Sequence, residues 1–404
     1  MPQRLLIGAA GATALVLALA GCVPNNAASA TALTVDVTDD TCVVSGATAA
    51  AGAVPFSITN AGTGVNEFYI YAEDKLRIVG EKENITPGQT VSLVAQLDPG
   101  TYFTACRFEK VGSPIGLAEF TVTGEAALGT EAEQAQSEQA VTNYIAYIQQ
   151  QVAELTPRVT AFADAYAAGD DETARSLFAT ARLSYERIEP TAEAFGDLDP
   201  QIDYREVDAV AEGIDWTGFH RMEKDLWAPG ESDLNSDGQS ALIDWAPSTP
   251  DERQQFADGL VKNVRELSDL VNADDFSVSL ADISNGAIAL LDEVAVGKIS
   301  GEEDWWSHTD LFDVYGNVEG AEVAFVTVKG IASASSAEGA ELAEDIETEF
   351  TALKALLGTY GSIESGFTSY DTVSDAERKA ISDQVNALAE PLSRLTHTVL
   401  GIAG

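Results

Sequence analysis

"EAALGTEAEQAQSEQAVTNYIAYIQQQVAELTPRVTAFADAYAAGD", Glu125–Asp170, is rich in Ala, Glu and Gln and carries apolar residues at helical spacing. Alanine and long unbranched side chains lose little freedom in a helix, so composition and spacing agree. Similar stretches run to the end of the chain, broken at Gly169-Asp170, Glu189-Pro190, Pro229-Gly230 and Gly301. Residues 125–404 therefore read as an all-α helical bundle of packed antiparallel helices. Upstream the grain is different. From Leu33 to Val122, "LTVDVTD" alternates, "NEFYIYAE" is aromatic and β-branched, and Asp98-Pro99-Gly100 separates two strand-like runs. Proline presets φ there and glycine accepts a positive φ. Short strands at even spacing predict a small antiparallel β-sandwich over residues 32–124, giving a multidomain chain.

The first residues read as processing signals. "MPQRLLIGAAGATALVLALAGC" places Arg4 before an apolar run from Leu5 to Ala20, too short for a comfortable membrane span. It ends in Leu19-Ala20-Gly21-Cys22, like a bacterial lipobox. Residues 1–21 are then a lipoprotein signal peptide, Cys22 the lipidated mature N-terminus, and residues 22–31 a tether. The plainer alternative is an ordinary signal peptide with an incidental cysteine. Either way the protein is exported; with the lipid it sits on the outer face of the cell membrane, touching it through the anchor only. With Cys22 assigned, Cys42 and Cys106 remain as an even pair in an oxidising compartment: a disulfide, or a thiolate metal site.

Lys and Arg total 22 against 65 Asp and Glu, a formal net charge of -43. Such a surface repels nucleic acid and anionic lipid and concentrates cations. It is also what keeps an exported protein soluble, so charge alone names no ligand. The G-x-S-x-G elbow, the Walker loop and a G-x-G-x-x-G after a strand are absent, as are H-E-x-x-H and H-x-x-E-H. Those absences count against a zincin-type peptidase.

Carboxylates with sparse imidazole remain. His220 and Glu223 are three apart and share one helix face. Glu186 and Glu189 in "SYERIEP" repeat the spacing just before Pro190, and Asp203 lies on the connection between the two helices. Such pairs on packed helices point several ligands into one gap, and one nitrogen among carboxylate oxygens suits iron better than copper(I) or structural zinc. The competing reading is a surface ladder of His220 and Glu223 with Arg221 and Lys224, with Met222 as packing. A secondary acidic cluster, Glu303, Asp304, His308 and Asp310, crowds Trp305 and Trp306. It reads as a second metal site or as capping and hydrogen-bonding groups with Ser307 and Thr309. His397 suits the end of a last helix. No histidine precedes His220. The β domain therefore lacks a two-His, one-Cys copper centre, and any metal there would need Cys42, Glu67, Cys106, Asp39 or Asp40.

"YERIEP", "GFHRMEKDLW", "KISGEEDWWSHTDLFD" and "NVEG" together resemble the imelysin-like, M75-type family, in the EfeO form that carries a cupredoxin-like module in front. The resemblance spans nearly all of the mature chain. It implies an H-x-x-E metal site at His220 and Glu223, with Glu186, Glu189 and Asp203 as neighbouring carboxylates. It implies binding of ferrous or ferric iron for an uptake system with a membrane iron permease and a haem peroxidase-type partner. In the cupredoxin-like module the matching residues are Cys42, Glu67 and Cys106, where copper or ferric iron is implied. The implied role is iron binding rather than catalysis. Peptidase chemistry through the H-x-x-E motif, or oxidation of iron, are the alternatives.

Overall fold

The computed structural model describes residues 32–75, 78–108, 114–125 and 130–402. The leader, Cys22 and the tether lie outside the described residues. Two sheets face each other at the N-terminal end. One has the order β2-β1-β4-β7, from Cys42–Val44, Leu33–Val37, Gly52–Asn60 and Thr90–Leu97. The other runs β3-β9-β8-β5-β6, from Thr48–Ala50, Ile115–Thr123, Gly100–Phe108, Asn66–Tyr71 and Ile78–Ile85. Alternation places Val54, Phe56 and Ile58 of β4 in the shared core, where Phe56 packs on Phe68 and Phe120 at 5.5 and 5.8 Å between ring centres. Most pairings are antiparallel, but β1 runs parallel to β4 and β3 to β9. Alternation along one strand carries no information about its partner's direction, so these two pairings depart from the antiparallel expectation. Cys42 and Cys106 form a disulfide joining β2 of one sheet to β8 of the other.

The helices are α1 Glu131–Ala167, α2 Asp171–Glu186, α3 Leu198–Asp203, α4 Glu206–Glu212, α5 Gly218–Leu226, α6 Pro250–Val271, α7 Leu280–Val296, α8 Asp310–Ser335, α9 Ala337–Leu357, α10 Asp375–Leu392 and α11 Leu395–Val399. Their starts follow local chemistry. Thr130 with Glu133 and Thr249 with Glu252 make reciprocal capping boxes at α1 and α6. Tyr144, Ile148, Val152, Leu155, Val159 and Phe162 of α1 run along one buried stripe against α2 and α6. No helix among the described residues is long and apolar enough to cross a membrane. The β and helical regions meet along α7 and α4, through Lys82–Asp292 at 2.5 Å, Arg107–Glu212 at 2.8 Å and Asn285 donating to the Val94 carbonyl at 2.7 Å.

α8 crosses the end of α2 at very short range. A Cβ on Gly320 would stand 2.4 Å from the Arg187 carbonyl oxygen, whereas one on Gly259 of α6 would meet nothing within 4 Å. Helix propensity alone favours alanine over glycine by about 1 kcal/mol. Overpacking costs about 1–3 kcal/mol, more than propensity returns at the crowded site. We therefore expect Gly259→Ala to raise the thermal midpoint and Gly320→Ala to lower it. Thermal unfolding of both variants checks this, and an increase for both would refute the close-approach account.

Candidate metal centre

α5 delivers the central pair. Gly218 opens it with φ 83°, and a Cβ there would lie 2.1 Å from the Ile202 carbonyl oxygen. Only glycine lets α5 start this close to the end of α3, which brings His220 beside Asp203. His220 and Glu223 are 2% and 1% exposed, which rules out the surface-ladder alternative. Arg221 pairs instead with Asp225 at 2.9 Å, and Lys224 with Glu206.

The imidazole is held from both sides. His220 Nδ1 lies 3.2 Å from Glu223 Oε2, while Glu223 Oε1 accepts the Trp306 and Ser307 backbone N–H groups at 3.1 and 2.7 Å. His220 Nε2 lies 2.8 Å from Arg182 Nη1, 3.5 Å from Glu303 Oε1 and 3.6 Å from Asp203 Oδ1. Asp304 Oδ1 is 3.9 Å from Nδ1. Two triads that could hold an ion result, each with atoms within 4.8 Å of one another: Asp203, His220 and Glu303, and His220, Glu223 and Asp304.

Two buried cations are built into this chamber. Arg182, fully buried on α2, binds Asp203, Glu186 Oε1 at 2.6 Å, Glu303 Oε1 at 3.3 Å and Asp313 Oδ1 at 3.4 Å. Lys298 holds Glu189 at 2.9 Å and Glu186 at 3.3 Å, and Asn317 donates to the same two carboxylates at 2.6 and 3.0 Å. Acids still outnumber cations. Asp304 and Asp313 lie within hydrogen-bonding reach of each other, and among the described residues Asp310 Oδ2 is buried without a hydrogen bond. Carboxyl oxygens in excess of the built-in cations, with one imidazole, are a donor set that fits a hard or borderline cation.

The acids divide by surroundings. Burial, the largest single influence, would raise Glu186 and Glu303, but Lys298 together with Arg182 at Glu186, and together with His220 and Arg205 at Glu303, holds both below the usual range. Burial pushes Asp313 and Asp310 well up, each reinforced by Asp304. Burial also lifts Asp203 to about 7 against the pull of Arg182. Opposing demands meet on His220. Burial and Arg182 favour the neutral ring, but hydrogen bonds to Glu223 and Glu303 and the charge of Asp203 raise its pKa to about 10. The 2.8 Å contact from Arg182 is a hydrogen bond only when Nε2 has lost its proton. Ligation through Nε2 thus displaces either that proton or the guanidinium. The chamber reaches the surface through a cleft bounded by Arg205, Trp216, Glu302 and Trp306, with an interior of about 20 Å³, room for one water-sized body.

Of the residues expected from sequence, His220, Glu223, Asp203 and Glu186 converge here, and Glu303 and Asp304 of the secondary cluster join them. Glu189 stands one step back. α2 ends at Glu186, and Glu189 opens a separate 3-10 segment, Glu189–Phe195, that runs through Pro190, so the two acids meet at Lys298 rather than at the histidine. The rest of the secondary cluster lies outside both triads. His308 takes a turn at φ 57°, and Asp310 Oδ1 accepts the Asp304 N–H at 3.2 Å. Thr309 precedes α8 without a side-chain cap bond; its hydroxyl donates to Asp304 instead.

The thiolate alternative for Cys42 and Cys106 is corrected by their disulfide. Glu67 lies on the opposite face of β5 from Phe68, whose partner is Cys106, so Glu67 and the cysteines do not form one site. Sequence reasoning misses Arg182, Lys298 and Asn317. Arg182 sits four residues before Glu186, which in sequence is indistinguishable from an ordinary helical ion pair.

The imelysin family model matches residues 140–395, and a cupredoxin-like domain model matches residues 11–114. The chain is 36% identical over 385 residues to the iron uptake system component EfeO of Escherichia coli O157:H7, covering 93% of each protein. The EfeO proteins of Shigella flexneri and Shigella sonnei match with the same identity and coverage.

Asp203 must be ionised to ligate a cation. His220, with a pKa of about 10, gives up a proton on ligation at any pH in this range, and below pH 7 Asp203 is protonated too, so affinity for a divalent cation should fall about tenfold per unit near pH 8 and more steeply, approaching a further tenfold per unit, as pH falls to 6. Calorimetry with manganese(II) in two buffers of different ionisation enthalpy reads both the affinity and the protons released. A slope that does not steepen below pH 7 would remove Asp203 from the ligand set, and a flat affinity with buffer-independent heat would remove His220 as well.

Proposed function

The chain belongs to the imelysin family, in its EfeO-type form, and from that premise we propose that it captures iron outside the membrane and hands it to a membrane permease. The observation that carries this reading is the buried chamber of His220 with Asp203, Glu303, Glu223 and Asp304, in which carboxylate oxygens exceed the cations that could neutralise them. Oxygen donors with a single imidazole suit ferrous or ferric iron, and suit zinc and copper(I) less. The ion is cargo: it enters through the cleft, is held by the triads and leaves the same way. The acidic surface raises the local cation concentration at the entrance. A lipid on Cys22 would keep the protein at the membrane, with residues 22–31 as its tether and residues 32–124 and 125–404 as its two working units. A haem peroxidase-type partner completes the proposed system. The β unit then serves for docking or for support, since its disulfide removes both thiolates.

Peptidase chemistry fits less well. Both oxygens of Glu223 are already engaged, by His220 and by two backbone N–H groups. A general base needs a free oxygen within reach of the attacking water.

In calorimetric titration of the mature protein with ferrous iron under anaerobic conditions, we expect saturable binding that His220→Ala/Glu223→Gln abolishes. Glutamine keeps an acceptor for the Trp306 and Ser307 N–H groups, which avoids a penalty of about 1–3 kcal/mol for leaving them unsatisfied. Equal binding by the variant would defeat the reading, and metal-dependent cleavage of a peptide library that His220→Ala abolishes would favour the peptidase. Cys22→Ser should release the protein into the soluble fraction; unchanged membrane retention would count against the anchor.

A further inference from the structure

We propose that Arg182 is a built-in competitor for the chamber, a fixed positive charge that sets how tightly an incoming cation is held and penalises trivalent cations more than divalent ones. This rests on the reading that the chamber binds the cargo. The guanidinium touches every donor of one triad: Nη1 contacts Asp203 Oδ1 and His220 Nε2, and Nη2 contacts Glu303 Oε1. Its Nε lies 3.8 Å from Asp304 Oδ1, a donor of the other triad.

Arg182 has nowhere else to go. Its side chain is fully buried, Glu186 and Asp313 anchor it from outside the triads, and the rings of Phe178 and Phe219 flank it at 5.7 and 5.5 Å. A planar fork with an unchanging charge suits such a position, because it satisfies several carboxylates at once and cannot be neutralised by losing a proton. A cation entering the triad must share these acids with it at close range. Coulomb repulsion grows with the charge of the newcomer, so the penalty on a trivalent ion is about one and a half times that on a divalent ion. An arginine whose charge the cargo does not feel, acting only by holding the fold, would change the affinity for both ions by the same factor.

The test is titration of the mature protein with manganese(II) and with gallium(III) nitrilotriacetate, both redox-silent, for wild type, Arg182→Gln and Arg182→Lys. Should wild type bind neither ion, the functional reading itself fails, whatever Arg182 does. Given wild-type binding, we expect Arg182→Gln to tighten manganese by at least about tenfold and gallium by a larger factor, with Arg182→Lys close to wild type. Equal or weaker binding by a folded Arg182→Gln, or the same factor for both ions, overturns the proposal. If the single variant does not fold, Arg182→Gln/Asp313→Asn removes the guanidinium together with one of its anchoring carboxyl groups and is compared with Asp313→Asn alone. Affinity no higher than that of the single aspartate variant overturns the proposal as well.

Discussion

A guanidinium shut inside a shell of carboxylates is the constraint around which the helical region is arranged. A buried charge is tolerated only when partners satisfy it with good geometry, and losing one partner of a buried pair costs about 3–5 kcal/mol. Arg182 of α2 draws its partners from four other places: Asp203 at the end of α3, His220 on α5, Asp313 on α8, and Glu303 and Asp304 on the segment before α8. These elements must arrive together. The glycines at the start of α5 and along α8 remove the side chains that would hold them apart.

The helices and strands are legible in the sequence because burial imposes its period on it. The stripe along α1 and the alternation in β4 each encode one buried face. The direction of strand pairing is not legible, because it depends on partners distant in the chain. The same division holds at the site. His220 and Glu223 announce themselves by spacing on one helix, whereas Arg182 and His220 meet across 38 residues through tertiary packing. Glu186 and Glu189 show how a local rule can mislead: their spacing promises one helix face, but α2 stops between them. Cys42 and Cys106 can be paired by counting, and their disulfide follows that arithmetic.

The β region reaches the cleft through a short chain of polar contacts. Arg107 on β8 binds Glu212 at the end of α4, and the Tyr204 hydroxyl donates to the same carboxylate at 3.2 Å. Arg205, just before α4, pairs with Glu302 at 2.7 Å, and both residues border the cleft. The outer face of the five-stranded sheet, with Tyr69 and Tyr71, thus supports the rim of the chamber without contributing a ligand.

Lys298 and Arg182 give the carboxylates of the chamber counter-ions of their own. Many metal sites collapse when emptied because the ion alone holds their ligands together, so each round of release is also a round of unfolding. Here the carboxylates remain bridged by two side chains that never leave. If the chamber takes up an ion as proposed, it does so within a standing frame, and no folding step is coupled to its entry or exit.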